Sequence, residues 1–152
     1  MNRMLVKPMA LILHDQPQVV RTLEYLVRTT GVLGTCTGID LAQAFEQIQQ
    51  HPVALVMLDT CRMDPVQAAQ ACASIRQAWA HEHTDDNSRG QSVNSPRRQI
   101  WFITNRASSI DLEDARELGA DRILTMPFDP DLVQQLVWEL GRQWNGPLAK
   151  AS

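Results

Sequence analysis

Two hydrophobic periods alternate along this chain. Short unbroken apolar runs occur at MALIL (9–13), VLGTCT (32–37), VALVML (53–58), IWFI (100–103) and RILTM (122–126). Runs of this length, ended by polar or turn-forming residues, predict buried strands. Between them the apolar residues recur at helical spacing. Val20, Leu23, Tyr25, Leu26 and Val27 predict a helix over 17–30, and Leu41, Ala44, Phe45 and Ile48 predict one over 40–50 with Asp40 as N-cap. Val66, Ala69, Ala73, Ile75 and Trp79 mark a third helix over 65–80. Ile110, Leu112, Ala115 and Leu118 mark a fourth over 109–118, closed by Gly119 at C′. Asp129 as N-cap and Pro130 at N1 open a fifth over 130–144, whose apolar face is Leu132, Val133, Leu136, Val137 and Leu140.

Strands that alternate with helices call for a parallel sheet covered on both faces. Right-handed crossovers leave few topologies for five units. The expected one is the flavodoxin-like doubly wound α/β fold, a five-stranded parallel sheet of order 2-1-3-4-5. One stretch does not fit. HEHTDDNSRGQSVNSPRR has no apolar period and is long for a connection, so 82–98 is expected to be a flexible insertion between the third helix and the fourth strand. Its His81–Glu82–His83 is read as a solvated helix end rather than a metal site, because a loose loop supplies neither enough ligands nor a frame.

At 152 residues the chain is read as one domain, 1–152, with a proper core. The tail NGPLAKAS is too short to form an output domain. A formal charge of −3 carries no nucleic-acid footprint. No apolar stretch reaches the roughly 20 residues needed to cross a bilayer, and the first residues lack a cleavage site, so no signal peptide is read. The three cysteines, Cys36, Cys61 and Cys72, share no metal spacing and fit reduced, mostly buried thiols of a cytoplasmic protein.

Ligands in such sheets bind beyond the carboxyl ends of the strands. The first strand ends in His14–Asp15, the third in Asp59–Thr60–Cys61, the fourth in Thr104–Asn105 and the fifth in Thr125–Met126–Pro127–Phe128. The first and third strands are neighbours in this order, so Asp15 and Asp59 are expected to face each other. Two facing carboxylates need a proton or a cation between them, and oxygen ligands favour a hard cation such as Mg²⁺. A blander reading makes Asp15 the cap of the helix that starts at Pro17. It leaves the acid and the hydroxyl at the other exits unexplained.

These segments resemble the receiver domain of bacterial two-component response regulators. ALILHDQPQVVRTLEYLV is similar to the opening strand, acidic pair and first helix of that family. ALVMLDTCRMDP is similar to the strand that ends in the phosphoacceptor aspartate, WFITNRA to the strand that ends in Thr or Ser, and LGADRILTMPFDPDLV to the closing segment. The resemblance covers about residues 9–142 outside the insertion. It implies that Asp59 is the phosphoacceptor, and that Asp15, Asp59 and the backbone carbonyl of Cys61 bind Mg²⁺. It also implies that Thr104 senses the phosphoryl group and that the Met126–Pro127 bond is cis.

The chain departs from the family at named positions. His14 stands in place of the first acid, and imidazole suits Zn²⁺, Ni²⁺ or Cu²⁺ better than Mg²⁺. Ile123 stands in place of an aromatic switch residue. Met126 stands in place of a lysine, and a thioether cannot supply its positive charge. Arg62 is a candidate substitute cation. Weak Mg²⁺ binding and slow or undetectable phosphorylation of Asp59 are therefore expected. The function expected is that of a signalling receiver rather than an enzyme, acting through protein partners such as a sensor histidine kinase or a downstream regulator. A phosphorylation-independent binding module, or pseudo-receiver, is the alternative. A small metal-dependent hydrolase using Asp59 is a distant one. Trp101 is expected in the core, and at least one of Trp138 and Trp144 on the surface, open to a partner or to a second copy in a homodimer.

Overall fold

The computed structural model describes residues 7–82, 98–105 and 110–151. The expected insertion at 82–98 lies almost wholly outside the described residues. The chain runs β1 (Met9–Leu13), α1 (Pro17–Arg28), β2 (Gly34–Gly38), α2 (Leu41–Gln50), β3 (Val53–Asp59), α3 (Pro65–Glu82), β4 (Gln99–Thr104), α4 (Leu112–Leu118), β5 (Arg122–Thr125) and α5 (Pro130–Ala151). All pairings are parallel and the sheet order is β2-β1-β3-β4-β5, as expected. No described helix is long and apolar enough to cross a membrane.

Alternation along the strands builds two cores. Leu11, Leu13, Val56, Leu58, Ile100 and Phe102 point to the face packed by α2, α3 and α4. Ala10, Ile12, Leu55, Met57, Trp101 and Ile103 point to the other, where Leu23 and Val27 of α1 and Val133, Val137 and Leu140 of α5 meet them. Trp101 is fully buried, as expected, and Trp138 is exposed. Arg98 ties the far edge together: its guanidinium lies over the rings of both Trp79 and Trp144, and its Nε–H donates to Val53 O.

The caps follow the sequence. Asp40 accepts from Gln43 N–H, Asp111 from Asp114 N–H, and Asp129 from the N–H groups of Asp131 and Leu132. Gly119 takes the left-handed conformation, φ 114°, that ends α4. Some expected boundaries and faces shift. β2 begins at Gly34, α4 at Leu112, and α5 runs on to Ala151. The buried side of α3 is Ala68, Ala71, Cys72, Ile75 and Trp79, whereas Val66 and Ala73 are exposed. Tyr25, Leu112 and Leu132 also face solvent.

One close approach is specific to glycine. A Cβ on Gly141 of α5 would overlap Val32 Cγ2 and Cβ. Gly141→Ala is expected to destabilise the fold by about 1–3 kcal/mol through overpacking, less roughly 1 kcal/mol of gained helix propensity. The shift of the urea unfolding midpoint measures it, and a stabilised variant would show that Val32 moves aside freely.

Candidate phosphoacceptor site

Each group of the site is placed by the end of a strand. Leu13 lies in register with Gly38 on one side and Leu58 on the other. His14 and Asp59, the next residues, therefore meet at the carboxyl edge. Ala10, Ile12 and His14 alternate onto the α1/α5 face, as do Leu55, Met57 and Asp59. Asp59 is the last residue of β3, in register with Ile103. Thr60 anchors the exit, with both its N–H and its hydroxyl donating to Ile103 O. Met126 N–H donates to Thr104 O at 2.8 Å, which sets the β5 exit beside that of β4. The Met126–Pro127 bond is cis, as expected.

Asp59 is partly exposed, its side chain at 18%, and both its oxygens face donors. Oδ1 accepts from Cys61 N–H at 2.9 Å. Oδ2 lies 3.6 Å from His14 Nε2. His14 is buried, and its Nδ1 accepts from Gln16 N–H at 3.1 Å. A ring nitrogen that accepts carries no proton, so the ring proton lies on Nε2, the atom aimed at Asp59. Nε2 itself makes no hydrogen bond, because 3.6 Å to Asp59 is too long for one.

Asp15 does not cap α1. The N-cap is Gln16, with no side-chain hydrogen bond. The Asp15 carboxylate turns instead to Arg62, with Oδ2 3.1 Å from Nη1, and its Oδ1 lies 3.7 Å from His14 Nδ1. The direction of Arg62 was open in the sequence; it points back into the acidic edge. The reciprocal bonds between Asp64 and Gln67 cap α3 and fix the short turn that carries Arg62 there. A shallow depression of about 300 Å³, lined in part by His14, Asp15, Gly38 and Gln43, opens beside the acids between the β1 and β2 exits.

Thr104 is buried at the β4 exit, and its hydroxyl donates to Asn105 O at 3.3 Å. Ile123 pairs in register with Phe102, so it shares a sheet face with Thr104 and packs partly against that core. Met126 lies on the opposite face, partly buried against the α1/α5 core. His14, Asp15 and Asp59 thus form one cluster, with a ligand atom of each within 4.8 Å of the others.

The donor set suits Mg²⁺ poorly. Mg²⁺ asks for oxygen ligands in a near-octahedral shell. Here one candidate carboxylate is engaged by a guanidinium, and His14 offers the pocket a proton rather than a lone pair.

The thiols are partly rather than mostly buried. Only Cys72 is buried; Cys36 and Cys61 are half-buried and all three are free. Burial pushes Cys36 up to about 11, and burial together with the Asp59 carboxylate does the same to Cys61. Both are expected to react slowly with iodoacetamide at pH 8, where an ordinary thiol with pKa about 8.5 is already about a quarter thiolate. The rate should climb only as pH passes 10, since these thiols ionise near 11. Native labelling at pH 8 as fast as in denaturant would refute the shift.

No family model matches the sequence. Over 137 residues the chain is 26% identical to response regulator Rre1 of Synechocystis sp., a match that covers 90% of this chain and 53% of that protein. The chain thus spans about half the length of the curated relative it matches. The receiver (REC) domain of the response regulator AraT from Geobacillus stearothermophilus superposes with a TM-score of 0.64 at 16% identity, over 92% of this chain and 97% of that one. The chemotaxis protein CheY4 of Vibrio cholerae gives 0.63 at 15% identity, over 89% and 99%. A response regulator from Thermotoga maritima gives 0.62 at 12% identity, over 89% and 98%. The chain is thus similar in sequence to a response regulator, and its strand order and fold are those of the receiver domains it superposes on.

Proposed function

We propose that this chain is a receiver domain of a two-component pathway with Asp59 as its phosphoacceptor, and that it signals by binding protein partners. A sensor histidine kinase upstream and a regulator downstream are the partner classes. The observation that carries the reading is the position of Asp59: a partly exposed carboxylate at the end of the central strand, flanked by His14, Asp15 and a backbone N–H. The chemistry is a displacement at phosphorus. A carboxylate oxygen of Asp59 attacks, the donor's P–O bond breaks, and the leaving group departs with the electron pair. Such transfers depend on positioning and charge stabilisation. Thr104 would report the phosphoryl group to the β4 exit. Mg²⁺ would bind weakly at Asp15, Asp59 and the Cys61 carbonyl, and when bound it would offset phosphoryl charge.

The test is mass spectrometry of the protein after incubation with acetyl phosphate, with Asp59→Asn as control. The expected outcome is a slow, partial phosphoryl adduct on the wild type and none on the variant. No adduct at any donor concentration would favour the phosphorylation-independent binding module. Phosphate release in excess of adduct, lost in Asp59→Asn, would bring back the hydrolase.

A further inference from the structure

We infer that the Asp59 centre binds its phosphoryl group with donors of this chain, the Nε2–H of His14 and the guanidinium of Arg62, and needs no divalent cation to do so. This rests on the reading of Asp59 as phosphoacceptor.

The first observation is the orphaned donor. His14 is 5% exposed, and its Nε2 has no hydrogen-bond partner. A buried donor without a partner is unfavourable. The Gln16 N–H on Nδ1 keeps the proton on Nε2 and so keeps the donor aimed at Asp59 Oδ2. The carboxylate itself is 3.6 Å away and does not satisfy it. A phosphoryl group on that carboxylate brings further oxygens beside the ring and gives the donor its acceptor. A cation on Nε2 would have to displace the proton, and the tautomer shift would then set a ring N–H against Gln16 N–H.

The second observation is the charge balance. Asp15 and Asp59 bring two negative charges, and Arg62 returns one through its 3.1 Å contact with Asp15. His14 adds none. The edge therefore carries about one uncompensated charge, which leaves little attraction for a divalent ion. Arg62 is anchored at one end on Asp15 while its side chain stays 78% exposed. It can turn part of its planar fork to phosphoryl oxygens, for which guanidinium is well shaped. Cys61 N–H already holds Oδ1, which leaves Oδ2 as the attacking oxygen.

The step balances without a metal or a proton. Asp59 Oδ2 attacks the phosphorus of acetyl phosphate, the P–O bond to acetate breaks, and acetate leaves with the electron pair. The N–H groups remain donors throughout.

The experiment follows the Asp59 adduct by mass spectrometry with acetyl phosphate, in EDTA and in excess Mg²⁺. Wild type, Arg62→Gln and His14→Asp are compared, with circular dichroism as the folding control. The expected result is a wild-type yield that changes less than twofold between EDTA and Mg²⁺. Arg62→Gln should lower it fivefold or more in both, and His14→Asp should make it Mg²⁺-dependent. The ¹⁵N resonances of the His14 ring give a readout without turnover: Nε2 stays protonated when Mg²⁺ is added and shifts when the adduct forms. A wild-type adduct that forms only with Mg²⁺ would overturn the inference and leave Asp59 as phosphoacceptor. So would a yield indifferent to Arg62→Gln. No adduct in either condition would overturn both.

Discussion

Trp101→Ala is expected to destabilise the domain by about 3–5 kcal/mol, the usual cost of emptying a large buried aromatic site. Trp101 is fully buried at the middle of β4, in register with Met57 on one side and Arg122 on the other. It fills the core between the sheet and helices α1 and α5. Its indole N–H donates to Gln99 Oε1 at 2.7 Å, so the substitution also releases a half-buried acceptor. A domain of this size holds about 5–15 kcal/mol in total, so the variant should lose roughly a fifth or more of its stability. Urea unfolding followed by circular dichroism measures the loss without relying on the removed fluorophore. Trp101→Phe should cost less, because most of the volume stays. A cost below about 1 kcal/mol for the alanine variant would be typical of a surface site and would contradict the burial.

The strands were legible because they are buried on both faces, and burial leaves a continuous apolar run. β3 reads VALVMLD, with six buried residues before the aspartate. β2 was displaced for the same reason. It is an edge strand, only half-buried, while the apolar Val32 and Leu33 that marked it lie in the segment before it. α3 was found but turned. Its sequence offers alanine at many positions, so apolar spacing leaves the phase of its stripe undetermined, and the sheet chose the side of Ala68, Cys72 and Ile75. At the site, strand order alone brought His14, Asp15 and Asp59 together, because His14 and Asp15 directly follow β1 and Asp59 ends the neighbouring β3. The partner of each acid was not legible. Arg62 reaches Asp15 through the turn after Asp59, and the direction of a side chain on a turn depends on backbone angles that residue types do not specify. The signal available was a lone cation three residues beyond Asp59. The tautomer of His14 was hidden as well, since it depends on a backbone N–H two residues away.

Met126→Lys is expected to speed phosphorylation of Asp59 by about ten- to a hundredfold. Removing one preorganised donor from a developing oxyanion costs roughly 100- to 1,000-fold in comparable sites; a grafted lysine, less well held, should recover part of that. The backbone is already in place, because Met126 N–H is bonded to Thr104 O and does not depend on the side chain. A lysine stem can follow the same partly buried path over the α1/α5 core and carry its ammonium to the rim. His14→Asp in the presence of Mg²⁺ should raise the rate again. The double variant need not equal the product of the two, because both changes act on one transition state. Coupling to the rest of the domain is a separate matter. Ile123 shares the Thr104 face but carries no ring or hydroxyl to follow that residue. Amide shifts along β4 and β5 should therefore stay close to the unphosphorylated values even in Met126→Lys. Adduct yield against time with acetyl phosphate, across wild type, both single variants and the double, measures the chemistry, and amide spectra of the same samples measure the response. Equal rates for wild type and Met126→Lys would show that a missing cation at this position is not what slows Asp59. Fast wild-type phosphorylation with large shifts in β4 and β5 would show that Met126 and Ile123 sustain the switch as they stand.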